Sequence, residues 1–142
     1  MGFHSRVLCA VLATCLAGCE PAPPREQLDA HTLHVQLQQL ASLAGEAVLL
    51  TQELEAHHLN PAFAWVHQQA LAEETSRAAS GLAQPAPAPL RAAQDEAMHV
   101  AAGLQAELTR VAGVQGDAGE LQALRARFEQ LRRRARALEP AS

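Results

Sequence analysis

Residues 27–59, QLDAHTLHVQLQQLASLAGEAVLLTQELEAHHL, carry the pattern that decides the fold. Leu33, Leu37, Leu40, Ala44, Ala47, Thr51, Leu54 and His58 step alternately four and three residues along the chain. That spacing holds small and apolar side chains on one stripe of a helix, the seam of a bundle or coiled coil. The pattern predicts a first helix over about 27–59, ended by Asn60-Pro61. Proline drives the residue before it out of helical backbone, and Asn60 can cap whatever helix follows.

Working outward, three further helical segments follow. The second spans about 61–83 and is broken by Gln84-Pro85-Ala86-Pro87-Ala88-Pro89. A third, about 89–113, carries Leu90, Ala93, Ala97, Val100, Leu104, Leu108 and Val111. Gly113 and Gly116 make a turn, and Asp117 with Glu120 three residues on forms a capping box. The fourth, about 117–138, presents Leu121, Leu124, Phe128, Leu131, Ala135 and Leu138. Short connections favour antiparallel neighbours, so the expected fold is all-α: an up-down-up-down four-helix bundle over residues 27–138, with a tail at 139–142. The later helices would measure about 31–38 Å and the first about 50 Å, so the first should overhang at its N-terminal end or break near Gly45.

Composition agrees. The 142 residues include 31 Ala and 21 Leu, every one of the eleven basic residues is Arg, and only four residues are aromatic. Ala, Leu, Gln, Glu and Arg favour helix, and the shortage of β-branched and aromatic residues argues against a sheet-built core. A net charge of −4 and so few aromatics exclude a dedicated nucleic-acid module, which needs a basic footprint and stacking platforms.

The N-terminal residues carry an address. Met1–Arg6 is a short basic n-region, and residues 7–17, VLCAVLATCLA, form an apolar run too short to span a bilayer but right for an export signal. The run ends in Leu16-Ala17-Gly18-Cys19. This tetrapeptide resembles the lipobox of bacterial lipoproteins, with small residues before a cysteine whose sulfur is alkylated. The resemblance covers residues 1–19 only. It implies that residues 1–18 are a signal peptide, that Cys19 is the lipidated first mature residue, and that 19–26 form a Pro-rich tether. Because Glu20 is not the Asp that retains such lipoproteins at the inner membrane, it also implies the outer membrane, with the domain facing the periplasm. Cys9 and Cys15 would leave with the signal. The mature chain would then have neither a free thiol nor a disulfide, and its stability would come from packing alone.

Several side-chain constellations bear on chemistry. Glu55-x-x-His58 and Glu96-x-x-His99 match the helical pattern of di-iron bundles, but they fall at different heights of the expected bundle. A looser metal site would draw on His57, His58 and His67 near the first hairpin, with Glu53 beside them. The competing reading places His57 and His58 in a helix's last turn, where cations suit its dipole. His31 and His34 are read as solvated on the overhang. Gly113-x-x-Gly116 follows no strand and is an inter-helix turn rather than a phosphate loop. No nucleophile elbow or mature cysteine points to covalent catalysis.

Charge is uneven along the chain. Residues 20–121 hold 13 acids and four Arg, whereas 122–142 hold six Arg and two Glu. Arg125, Arg132 and Arg136 flank one side of the fourth seam, and Arg127 and Arg134 the other, where bundle helices meet acidic neighbours. On the second helix, Phe63, His67, Ala70, Leu71, Glu74 and Ala78 are read as the core-facing arc, with Thr51 as partner for a buried His67. Trp65 falls on the opposite face and is the candidate contact for a protein partner.

The expectation is therefore a lipid-anchored helical module without catalysis or cofactor, with the membrane held through Cys19 and a possible envelope protein as partner. The rival expectation is a periplasmic metal-binding or metal-sensing lipoprotein using the histidines of the first hairpin.

Overall fold

The computed structural model describes residues 27–139. The tetrapeptide Leu16–Cys19 that resembles a lipobox, the expected signal and tether over residues 1–26, and the end of the expected tail, 140–142, lie outside them. The described chain forms four α-helices: α1, Ala30–Glu55; α2, Pro61–Leu82; α3, Arg91–Val114; and α4, Ala118–Ala137. A single 3-10 turn, Ala88–Leu90, leads into α3, and there is no strand among the described residues. None of these helices is long and apolar enough to cross a membrane.

Each start has a local cause. Asp29 Oδ1 accepts the Thr32 amide at 2.6 Å, and Asn60 Oδ1 accepts those of Ala62 and Phe63 at 2.8 and 3.2 Å. Pro61 then opens α2, where a missing N–H costs nothing. Asp117 Oδ1 accepts the Glu120 amide at 3.0 Å. The capping box expected there is only half made, because the Asp117 amide donates to the Val114 carbonyl and the Glu120 carboxylate lies near Arg110.

The end of α1 departs from expectation. The helix stops at Glu55, short of residue 59. His57 takes φ 55°, its amide donates to the Leu54 carbonyl, and the His58 amide donates to that of Glu53. These two bonds make a Schellman stop. Its cause is spatial: with α2 capped at Asn60, a helix running to 59 would leave no residues to reverse the chain. His58, assigned to the seam, is consequently exposed in the turn.

The core combines the predicted seams of α1, α3 and α4. Leu33, Leu37, Leu40, Ala44, Ala47, Thr51 and Leu54 are buried on α1, and Ala97, Val100, Leu104, Leu108 and Val111 on α3. On α4 the buried set is Leu121, Leu124, Phe128, Leu131 and Ala135. α1 packs along α4 and α2, α2 also along α3, and α3 along α4. At 26 residues, or about 39 Å, α1 neither overhangs nor breaks. Gly45 lies inside it with Arg132 Cδ 3.5 Å from where a Cβ would stand. Ahead of α1, Leu28 is buried and its amide donates to the Pro85 carbonyl at 3.0 Å, so this end closes against the α2–α3 connection. His31 is exposed, as read, but His34 is half-buried.

The face of α2 is corrected. Its buried residues are Ala64, Gln68, Leu71, Thr75, Ala78 and Leu82. Relative to the predicted arc, the core-facing side is turned by roughly 70°. Leu71 and Ala78 belong to both arcs, while Phe63 and Ala70 are exposed and His67 and Glu74 only half-buried. Small Ala64 and self-satisfied Thr75, whose hydroxyl donates to the Leu71 carbonyl at 2.8 Å, line the seam instead.

Candidate functional site

The three histidines considered for metal are not brought together. His57 is the left-handed residue of the Schellman stop, and His58 Nδ1 lies 3.0 Å from Glu53 Oε2. His67 stands on α2, beyond the turn. Among the described residues no three His, Cys, Asp or Glu side chains are grouped to hold a metal ion. The two Glu-x-x-His pairs are separated too. Glu55 is taken by Arg125, Glu96 by Arg134, and His99 is exposed.

Thr51 does not serve His67. Its hydroxyl donates within α1 to the Val48 carbonyl at 2.8 Å and the Ala47 carbonyl at 3.2 Å. The half-buried imidazole therefore has no call on it, and the proposed partnership fails because the rotation of α2 takes His67 out of the seam. Gln68 occupies the buried polar position instead, with its Oε1 unpaired.

The arginines of α4 mostly face their own neighbours. Arg125 Nη1 meets Glu55 Oε2 of α1 at 2.6 Å, Arg127 Nη1 meets Glu107 Oε2 of α3 at 3.2 Å, and Arg134 Nε meets Glu96 Oε1 of α3 at 3.1 Å. The Arg134 hydrogen bond holds the Glu96 carboxyl below its ordinary range. Arg132 pairs with Glu129 on its own helix at 2.8 Å. A shallow open groove on the outer side of α4 is lined by Ala126, Gln130, Arg133, Arg134 and Ala137, all from that one helix.

What remains is the outer face of α2. Trp65 is 54 % exposed, Phe63 60 % and Val66 58 %. Ala62 and Ala70 are exposed beside them, and between residues 62 and 70 Gln69 is the only polar residue within the arc. Asn60 and Pro61 fix this face by fixing where α2 starts, and the buried Ala64, Gln68 and Leu71 fix its rotation. Phe63, Val66, Ala62 and Ala70 make one exposed apolar stripe, with Trp65 flanking it on the far side, and grouped apolar side chains mark a contact site more strongly than scattered ones do. Trp65 is exposed as expected, but with the core side turned it stands on a flank of the outer face rather than opposite the core. Phe63 was missed as a surface residue because a large aromatic at a helix start reads as core, and the signal that could have found it is the small, polar-tolerant spacing of Ala64, Gln68, Leu71 and Thr75.

No protein-family model, curated protein or solved structure matches this chain.

Proposed function

We propose that the chain is a lipoprotein of the cell envelope, anchored through acylated Cys19 at the outer membrane. Its helical domain faces the periplasm and acts as a non-catalytic binding or structural module. The observation that carries this reading is the pairing of the lipobox Leu16-Ala17-Gly18-Cys19 with an exposed apolar face on α2. An address that tethers the chain and a surface suited to contact together describe an adaptor or scaffold.

The domain is proposed to be an up-down-up-down four-helix bundle. Supporting this order, Gly45 and Glu55 of α1 approach Arg132 and Arg125 of α4, while Glu96 and Glu107 of α3 approach Arg134 and Arg127. In both pairs of helices, residues later in one chain segment meet residues earlier in the other.

Labelling with a palmitate analogue in a bacterial host tests the anchor. Wild type should take up label and fractionate with outer membranes, whereas Cys19→Ala should take up none and remain unprocessed. A Cys19→Ala chain that is still cleaved and still partitions with membranes overturns the anchor.

A further inference from the structure

The rim of the α2 patch carries information about what would cover it. Gln36 of α1 abuts Gly81 of α2, with Gln36 Nε2 2.8 Å from the position of a Gly81 Cβ. The α1–α2 turn sets the two helices side by side in opposite senses, and both rise equally per residue. Glu53 is therefore level with Ala64, and Glu46 with Leu71. Both acids are exposed on α1. Glu46 makes no ion pair among the described residues, and Glu53 has only His58. Along α2 itself, Glu73 lies two turns beyond Val66 on the same stripe, with Arg77 no nearer than 3.8 Å. Between residues 46 and 77 the chain holds five acids and one arginine. One of the five, Glu55, is drawn aside by Arg125.

We propose that Phe63, Val66 and Ala70, rimmed by Glu46, Glu53 and Glu73, form the docking face for a basic amphipathic helix of a protein partner. This rests on the reading of the domain as a binding module and names the chemistry of what it binds. Phe63, Val66 and Ala70 stand at i, i+3 and i+7 along about two turns of α2, a spacing that the anchors of a second helix match. The acidic rim selects among occupants. A second copy would bring the same acids against themselves, and an anionic lipid surface would be repelled, whereas Lys or Arg flanking an apolar stripe would be attracted.

Trp65, the single tryptophan of the chain, stands in the same turn as Phe63 and Val66 and reports on a helix laid across that turn. The full chain is placed in phosphatidylcholine nanodiscs and its fluorescence followed against three synthetic 18-residue peptides. One is an amphipathic Leu/Lys helix, one has Lys replaced by Glu, and one keeps the Lys composition but scrambles the apolar stripe. The first should shift Trp65 emission to shorter wavelength saturably and bind at least tenfold tighter than the other two. Val66→Asp should abolish the shift, and Glu46→Gln with Glu53→Gln should each weaken binding about two- to fivefold. Helical melting of each variant checks that these exposed substitutions leave the fold intact.

Equal binding of the acidic and basic peptides overturns the proposal, as does no shift with any of them. A shift that follows protein concentration without peptide assigns the face to a second copy, and quenching of Trp65 by brominated lipid assigns it to the membrane. Both also overturn it. Acyl labelling of the same preparation is scored separately, so a failed anchor and a failed docking face give different results.

Discussion

Arg125 Nη1 stands 2.6 Å from Glu55 Oε2, joining positions 70 residues apart. The contact ties the last turn of α1 to the early part of α4, and its side chains are 33 % and 20 % exposed. A pair still in reach of water contributes little on its own. Arg125→Gln and Glu55→Gln should each lower stability by less than about 1 kcal/mol. The double variant should lose less than the sum, because the second change removes a partner already lost. Urea unfolding of all four chains checks this, and strict additivity would mean that the pair does not interact in solution.

Phe128 is fully buried and is the one aromatic side chain in the core of the described residues. It sits between Leu124 and Leu131 on α4, in a core otherwise made of Leu, Ala and Val. Phe128→Ala removes most of a ring that no neighbouring alanine can replace, and should cost about 3–5 kcal/mol. For a small domain that is a large share of total stability. A melt displaced by only a few tenths of a kcal/mol would show that α4 does not seat where it is placed.

Gly45 tests packing from the opposite direction. It lies in the interior of α1, and a Cβ there would make ordinary contact with the Arg132 side chain at 3.5 Å. Alanine gains helix propensity at no steric cost, so Gly45→Ala should stabilise by about 1 kcal/mol. A destabilised variant would instead indicate that α1 bends at this point.

Much of this fold could be read from residue spacing, and the exceptions have physical causes. The seams of α1, α3 and α4 concentrate Leu, Val and Ala on a single face, so their rotation was unambiguous. Asn60-Pro61 and Asp117 announced two helix starts through cap chemistry that is purely local. α2 was misread because Phe63, Trp65, Val66 and Leu71 spread over more than half its circumference, and periodicity alone cannot choose among such faces. The choice is made by Ala64, Gln68 and Thr75, which admit close neighbours although two of them are polar. The stop of α1 was hidden for a different reason, since a left-handed residue is announced by glycine and here it is His57. Of the candidate site, only Trp65 was visible, because recognising its apolar neighbours required the rotation of α2.

Acid should weaken the fold through identifiable groups. The Thr32 amide holds the Asp29 carboxyl below its ordinary value of 3.8, and the Arg134 guanidinium holds that of Glu96 below 4.5. A carboxyl depressed in the folded state adds stability above its unfolded value and loses that contribution as pH falls through its folded value. The melting temperature of wild type should therefore fall from about pH 5 downward, continuing below these ordinary values. The Asp29→Asn, Glu96→Gln chain keeps an acceptor at the α1 cap but cannot titrate at either site. Its melting temperature should be lower than wild type at pH 6, and the gap should narrow on acidification to pH 3. A gap that is constant with pH would show that neither carboxylate is stabilised by its partner.

The helix stop at the end of α1 uses His57 for its backbone and takes its imidazole away from any cluster. At φ 55° its Cβ crowds the backbone, a penalty of roughly 1 kcal/mol that glycine does not incur. Glycine also has more freedom to lose on folding, which offsets part of the gain. His57→Gly should therefore raise stability by about 0.5 kcal/mol, while His57→Ala, which keeps the Cβ, should leave it unchanged or slightly lower. The two Schellman bonds from the His57 and His58 amides involve only backbone and survive both changes. Chemical denaturation of the three chains, with and without zinc, decides the matter. Stabilisation by glycine that is indifferent to zinc fits a residue used for its backbone. A loss of stability in both variants, enlarged by zinc, would instead make the His57 imidazole a ligand and reopen the metal reading of the first hairpin.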